Sequence, residues 1–373
     1  MKERYREVDK PYFKDLMTTR SVFLALITTL LVGVSACKKD PSPAPPEATA
    51  DVIIVNKGVS PSGIGTLSIY KPLTGEVEHN VFQKVNAYNT RAVAQSVLVD
   101  GDITFLVVSG EGIVYILNTA DMKVIAKIDG MISPRYVIKA DENKYYISDW
   151  GIGGVHVLNL SARKLVREIE TGAGPENMLI YKDRLFVVNS GGTVDGLLQT
   201  DSTVTVIQTE TDTIMDTIIV GENPNSLQLD KNNKLWVLSP GSTKFPVENS
   251  TFGDLRIIDP DSLEPLDTLT FADNLLKPRY LKIDKDGELL YFLSDQGAAD
   301  IYVHSVGDTS LPVMPFITGN FNCLEYDGEE ERLYAGDQRG ETQPGQVQVF
   351  SLDGEEMDKF EVGYVPINFG FKR

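Results

Sequence analysis

Residues 185–189 read Leu185-Phe186-Val187-Val188-Asn189, and the chain keeps returning to that phrase. It recurs as Val52-Ile-Ile-Val-Asn56, Phe105-Leu-Val-Val-Ser109, Tyr145-Tyr-Ile-Ser-Asp149, Leu235-Trp-Val-Leu-Ser239, Leu290-Tyr-Phe-Leu-Ser294 and Leu333-Tyr-Ala-Gly-Asp337. The last residues of these seven copies stand 53, 40, 40, 50, 55 and 43 apart. Each copy is a β-branched and aromatic run of strand length that ends in a polar turn residue. A second alternating run follows, at 66–70, 113–117, 155–158, 204–207, 255–258, 301–303 and 347–350. A third comes after it, as at 165–170 and 217–220, and another precedes each phrase, as at 226–229 and 280–283. Four strands returning every ~40–45 residues is the pattern of a propeller blade. The expectation is all-β: a seven-bladed β-propeller of four-stranded antiparallel blades.

Turn chemistry agrees. Asp141-Glu-Asn143, Lys231-Asn-Asn233 and Asp284-Lys-Asp-Gly287 are hairpin connections. No helical periodicity of useful length appears after residue 50. The ends explain closure. The propeller, residues 51–373, enters directly on a second-strand phrase, so blade one lacks its innermost strand. The tail from Tyr364 to Arg373 reads as an innermost strand with no blade after it. Joining that C-terminal strand to blade one closes the ring and removes edges that would template aggregation.

Upstream lies a different kind of segment. An apolar run over 21–33, too short to span a bilayer, ends in Val34-Ser35-Ala36-Cys37 and opens onto Lys38-Lys39-Asp40. Arg20 supplies the positive flank. Cysteine after small residues resembles the bacterial lipobox, in which that cysteine is acylated and becomes the N-terminus. Residues 1–37 are read as a lipoprotein signal peptide with Met17 as the true start, and 38–50 as a proline-rich tether. Localisation is then the outer membrane, lipid-anchored and facing out of the cell. Residues 1–37 hold six basic and four acidic residues; the rest carries 29 against 49, a net −20. Such a charge repels nucleic acid and keeps the chain soluble. With Cys37 acylated, Cys323 stands alone, so no intramolecular disulfide forms and a small buried hydrophobe is expected there.

The blade phrase resembles the YVTN or YncE-like propeller family, whose repeat has a Leu-Tyr/Phe-Val-x-Asn strand. That family's Gly-x-x-Pro element stands here as Gly172-Ala-Gly-Pro175 and Gly221-Glu-Asn-Pro224. Blades one, two and seven depart from it. Arg91 and Asn320–Asn322 stand where the proline is missing before blades two and seven. The lipobox, the Cys-Lys-Lys-Asp start and the repeat together are similar to Bacteroidota surface lipoproteins of the BtuG type. That resemblance implies capture of vitamin B12 above a TonB-dependent outer-membrane transporter.

Inter-blade connections and second-to-third-strand loops emerge on one face, around the channel mouth. Its inner rim should carry Arg91, Arg135, Tyr136, Glu176, Asn177, Asn225, Arg279, Tyr280, Asn322 and Asn368, with Trp150 beside them. Three arginines in so acidic a chain favour an anionic or carbonyl-rich ligand, because guanidinium offers a fixed fork of donors. Asparagines would meet amides, and Tyr136, Tyr280 and Trp150 would face a ring. The same arginines would equally serve to pin blades by pairing with Asp and Glu. Insertions at 57–65, 150–154, 190–202, 240–253, 295–300 and 338–346 build an outer rim on this face. Blades four and five carry the longest.

The catalytic inventory is poor. His79, His156 and His304 fall in different blades, so no shared metal is expected. No zinc, nucleophile-elbow or phosphate-loop motif is present. The reading is a binding protein without cofactor or enzyme activity that takes a small-molecule ligand, a corrinoid leading. A propeller hydrolase or lactonase, or a protein-interaction scaffold, stand as alternatives.

Overall fold

Each copy of the repeated phrase becomes the second strand of a blade, counted outward from the channel. The computed structural model describes residues 49–59, 63–194, 197–294, 299–340 and 342–373. Cys37 and most of the tether lie outside those residues. Blades two and three are sequential antiparallel sheets, Ala94–Asp100, Ile103–Val108, Ile113–Asn118, Val124–Ile128 and Pro134–Lys139, Lys144–Asp149, Gly154–Asn159, Lys164–Glu170. Blades four to seven begin their innermost strands at Pro175, Ser226, Arg279 and Cys323 and repeat the order. Blade one is built from Asp51–Asn56, Thr66–Lys71 and Glu76–Glu78, with Pro366–Lys372 as its innermost strand. That strand pairs antiparallel with the first, Ile54 opposite Phe369 and Ile53 opposite Gly370. The seven innermost strands touch one another in a complete ring.

The phrase is apolar on both sides because both of its faces are buried, so it shows no alternation. Leu185 and Val187 pack toward blade three, while Phe186 and Val188 pack toward blade five. The core accordingly divides into seven clusters, one per gap between blades. Cys323 is fully buried in the gap between blades seven and one, as a small hydrophobe.

The polar residue ending the phrase has a structural task. The Asn189 amide donates to the Thr203 and Thr205 hydroxyls at 2.8 and 3.0 Å. The Asp149 carboxylate accepts the Ile132, Ser133 and Gly151 N–H groups at 2.7–2.8 Å and faces His156 Nε2 at 3.1 Å. The Asp149 contacts tie the connection entering blade three to the loop leaving its second strand, and the Asn189 contacts tie the second strand of blade four to its third. The hairpins use the expected chemistry: Asp141, Asp230 and Asp284 each accept two backbone N–H groups of their own turn.

Two features were not expected. Thr49 and Ala50, placed in the tether by sequence, are already fixed: Thr49 donates to Glu330 through N and Oγ1, and Ala50 is buried. A six-residue helix, Val81–Asn86, occupies the blade one–two connection. Asn86 bolts it to blade two, donating to the Met122 carbonyl and accepting the Val124 N–H.

Candidate functional site at the channel mouth

Strand pairing sets equivalent positions in the seven innermost strands. Val97 opposite Leu106 in blade two matches Ile138 opposite Tyr146 in blade three. Counting from such pairs gives two tiers around the channel. The upper tier is Ile367, Ala94, Arg135, Glu176, Asn225, Arg279 and Asn322. The lower tier is Asn368, Gln95, Tyr136, Asn177, Ser226, Tyr280 and Cys323.

A cavity of about 460 Å³ sits at the mouth. It brings together Arg135, Tyr136, Trp150, Glu176, Asn177, Asn225, Arg279 and Tyr280, eight of the eleven residues singled out from sequence. Lys57, Val93, Gln95 and Ile367 complete its lining; Lys57 opens an insertion assigned to the outer rim and Ile367 adjoins the rim residue Asn368, while Val93 and Gln95 were missed. Register could have found Gln95, which occupies in blade two the place of Tyr136. Arg91 needs correcting. Ala94, not Arg91, is the blade-two counterpart of Arg135, and Arg91 lies three residues upstream, exposed, beside a separate rim cavity. The helix and the turn in which Asn89 Oδ1 accepts the Arg91 N–H carry it outward. Asn368 lines a lower cavity of about 370 Å³, and Asn322 lines neither. Tyr136, Asn177 and Tyr280 line both cavities and so stand at the boundary between them.

Much of the polar chemistry here holds blades together. Ser96 Oγ donates to the Arg135 carbonyl (2.6 Å). Arg135 Nε and Nη2 both donate to Glu176 Oε1 (3.1 and 2.9 Å). Asn177 donates to the Asn225 carbonyl and Asn225 to that of Pro278, each at 3.1 Å. Lys282 Nζ donates to Glu325 Oε2 (2.6 Å) between blades six and seven, and Asn322 donates to the Pro366 carbonyl (2.5 Å). Asn368 Oδ1 accepts the Val97 N–H (2.8 Å). Every blade junction is thus bridged, and the Asn177, Asn225 and Asn322 amides each give an N–H to backbone.

What faces the mouth is a donor-rich wall. The Arg135 guanidinium lies 4.3 Å over the Trp150 ring and gives its remaining fork to Gln95 Oε1 (2.6 Å). Burial pushes the Glu176 carboxyl above its usual range, against the pull of Arg135. Burial also holds the Tyr136 and Tyr280 phenols well above theirs, so both stay protonated donors at any physiological pH. The Lys57 ammonium has no ion pair among the described residues. One buried carboxylate therefore stands among three cationic side chains.

Beyond the mouth, the 240–253 insertion is braced at its stem. Glu222 accepts the Thr251 hydroxyl at 2.7 Å and the Ser242 hydroxyl, and pairs with Lys244. Lys277 Nζ reaches the Pro240, Ser242 and Thr251 carbonyls at 3.3–3.4 Å. The tip displays Phe245, 99% exposed. The 190–202 insertion contains a small hairpin, Gly192–Val194 with Leu197–Gln199. The histidines lie apart: His156 on Asp149, His304 against Trp236, and His79 in a surface cavity. Among the described residues no group of three His, Cys, Asp or Glu side chains could hold a metal ion.

Residues 51–365 match the model of a family described as a domain of unknown function, DUF5074. The chain belongs to that family. Solved structures share the architecture at low identity. A quinonprotein alcohol dehydrogenase-like protein of Bacteroides thetaiotaomicron is 14% identical with a TM-score of 0.65, over 87% of this chain and 78% of that one. The periplasmic gluconolactonase of Pseudomonas aeruginosa is 13% identical with a TM-score of 0.62, over 87% and 99%. Hydrazine synthase of Kuenenia stuttgartiensis is 14% identical with a TM-score of 0.59, over 70% and 77%. No curated protein matches the chain. At such identities the likeness is one of fold alone.

Proposed function

We propose that this DUF5074 chain is a surface lipoprotein of the YncE/BtuG-like type that captures a small nutrient at the channel mouth. It then passes the nutrient to an outer-membrane transporter. The observation that carries the reading is the mouth itself: one cavity of about 460 Å³ in which Lys57, Arg135 and Arg279 meet two protonated phenols and the Trp150 ring. A wall of donors in so acidic a chain suits an anionic or carbonyl-rich ligand. A corrinoid is the leading candidate. It would lie across the rim and insert a phosphate or amide arm. No group here need do chemistry for capture. The Glu176–Arg135 pair already has a role in joining blades three and four.

Calorimetry against cobalamin, a ferric siderophore and short neutral glycans tests the reading. Cobalamin should bind at micromolar concentration or tighter. Lys57→Ala with Arg279→Ala, which spares the buried ion pair, should weaken binding by more than about tenfold, since each charged hydrogen bond contributes about 1.5–3 kcal/mol. Absence of cobalamin binding would remove the corrinoid, and unchanged binding in the variant would move the site from the mouth. Metal-dependent lactone hydrolysis by the purified chain would replace capture with catalysis.

A further inference from the structure

Arg91 belongs to a cavity of its own. It lies on the rim between blades one and two, about 310 Å³, lined by Tyr88, Arg91, Glu111, Tyr115 and Lys127. The insertion that builds it contains the helix Val81–Asn86, the one α-helix among the described residues. Asn86 bolts that helix to blade two, so the wall carrying Tyr88 and Arg91 is fixed against the wall carrying Glu111, Tyr115 and Lys127. The two tyrosine rings stand 6.5 Å apart at 49°, with Phe82 behind both at 5.5 and 5.1 Å. The Tyr115 hydroxyl donates to Glu111 Oε2 at 3.3 Å. Lys127 is loosely paired with Asp129 at 3.8 Å, and the exposed Arg91 guanidinium has no partner among the described residues.

We propose that this rim cavity is a second binding site, for an acidic sugar such as a hexuronate unit of a glycan. Three kinds of group must be explained together. Arg91 and Lys127 match one carboxylate, for which guanidinium supplies a fork of donors. The exposed Tyr88 ring offers a flat apolar face for the C–H face of a pyranose, and the Tyr115 ring, only 5% exposed, backs it from the core. Glu111 accepts from sugar hydroxyls. A phosphate would use only the cations and leave the Tyr88 face and the Glu111 acceptor idle; a neutral sugar would leave the cations idle. This site is independent of the mouth reading, because it shares no lining residue with that cavity.

The test titrates the full chain with tetragalacturonate and, separately, with maltotetraose, followed by calorimetry. The acidic glycan should bind and the neutral one should not. Arg91→Ala, on an exposed side chain, should weaken tetragalacturonate by about tenfold, with partial recovery in Arg91→Lys, since a charge-assisted contact is lost. Lys57→Ala with Arg279→Ala should leave it unchanged. The proposal is overturned if tetragalacturonate does not bind, if maltotetraose binds equally, or if Arg91→Ala has no effect. It is also overturned if the Lys57/Arg279 variant is the one that loses binding, because the uronate then sits in the mouth.

Discussion

Phe369→Ala tests whether the ring is sealed by its tail. Phe369 stands in the middle of the closing strand, opposite Ile54, and is 4% exposed. Its ring lies 6.0 Å from that of Tyr334 in blade seven, within the cluster that fills the gap between blades seven and one. Burying a phenylalanine removes roughly 150–200 Å² from water, worth about 4–5 kcal/mol at 25 cal/mol per Å². Truncation to alanine in such a site costs about 3–5 kcal/mol once the residual cavity is counted. For a chain of this size each kcal/mol lowers the melting point by about 2 °C, so the expected drop is roughly 6–10 °C. Scanning calorimetry with urea unfolding reads it. Phe245→Ala, at the exposed loop tip, is the matched control and should shift melting by less than about 1 °C. If both variants melt with the parent, the tail does not seal the ring. A drop confined to a minor early transition would show that blade one unfolds separately from the rest.

Asp149 is held below the usual carboxylate range: burial opposes this, but His156 and three backbone N–H groups outweigh it. A depressed folded value means that the group stabilises above its unfolded pKa, and that this is lost as pH falls through the folded one. Asp149→Asn should therefore destabilise at pH 7 and flatten the loss of stability below about pH 4, measured by urea unfolding across pH. Arg135→Ala strands the buried Glu176 carboxylate and should cost about 3 kcal/mol. Arg135→Ala with Glu176→Gln should recover much of that loss in the same denaturation assay. Cys37→Ser should move the protein from the membrane to the soluble fraction on cell fractionation. Retention in the membrane would remove the lipid anchor from the proposed function.

Architecture was legible because the cause of the repeat is local. A second strand buried on both faces must be apolar throughout, as in Leu185–Val188, and the next polar residue must tie two connections. Closure was legible from counting, since Pro366–Lys372 had no blade to precede. The mouth was only partly so. Whether an inner-strand asparagine faces ligand or donates to the next blade's carbonyl depends on register between blades, which no pattern within one blade encodes. Asn177, Asn225 and Asn322 were read as ligand contacts for that reason, yet their N–H groups bridge junctions. Arg91 was misplaced because a six-residue helix with three apolar positions leaves no periodic trace, and its insertion broke the count back from Ala94.

The boundary at Tyr136, Asn177 and Tyr280 has a consequence for traffic. It narrows the mouth at its floor, in the manner of a cup. An occupant of the mouth that moved down the channel would have to pass these three side chains, whereas the way back through the opening is free of them. Under the proposed capture, a recipient would have to approach that opening while the cargo was still seated, and win it by contacts with whatever part stood proud of the rim. Depth of seating would then set how readily the cargo was surrendered, and a deeper cup would hold better and deliver worse.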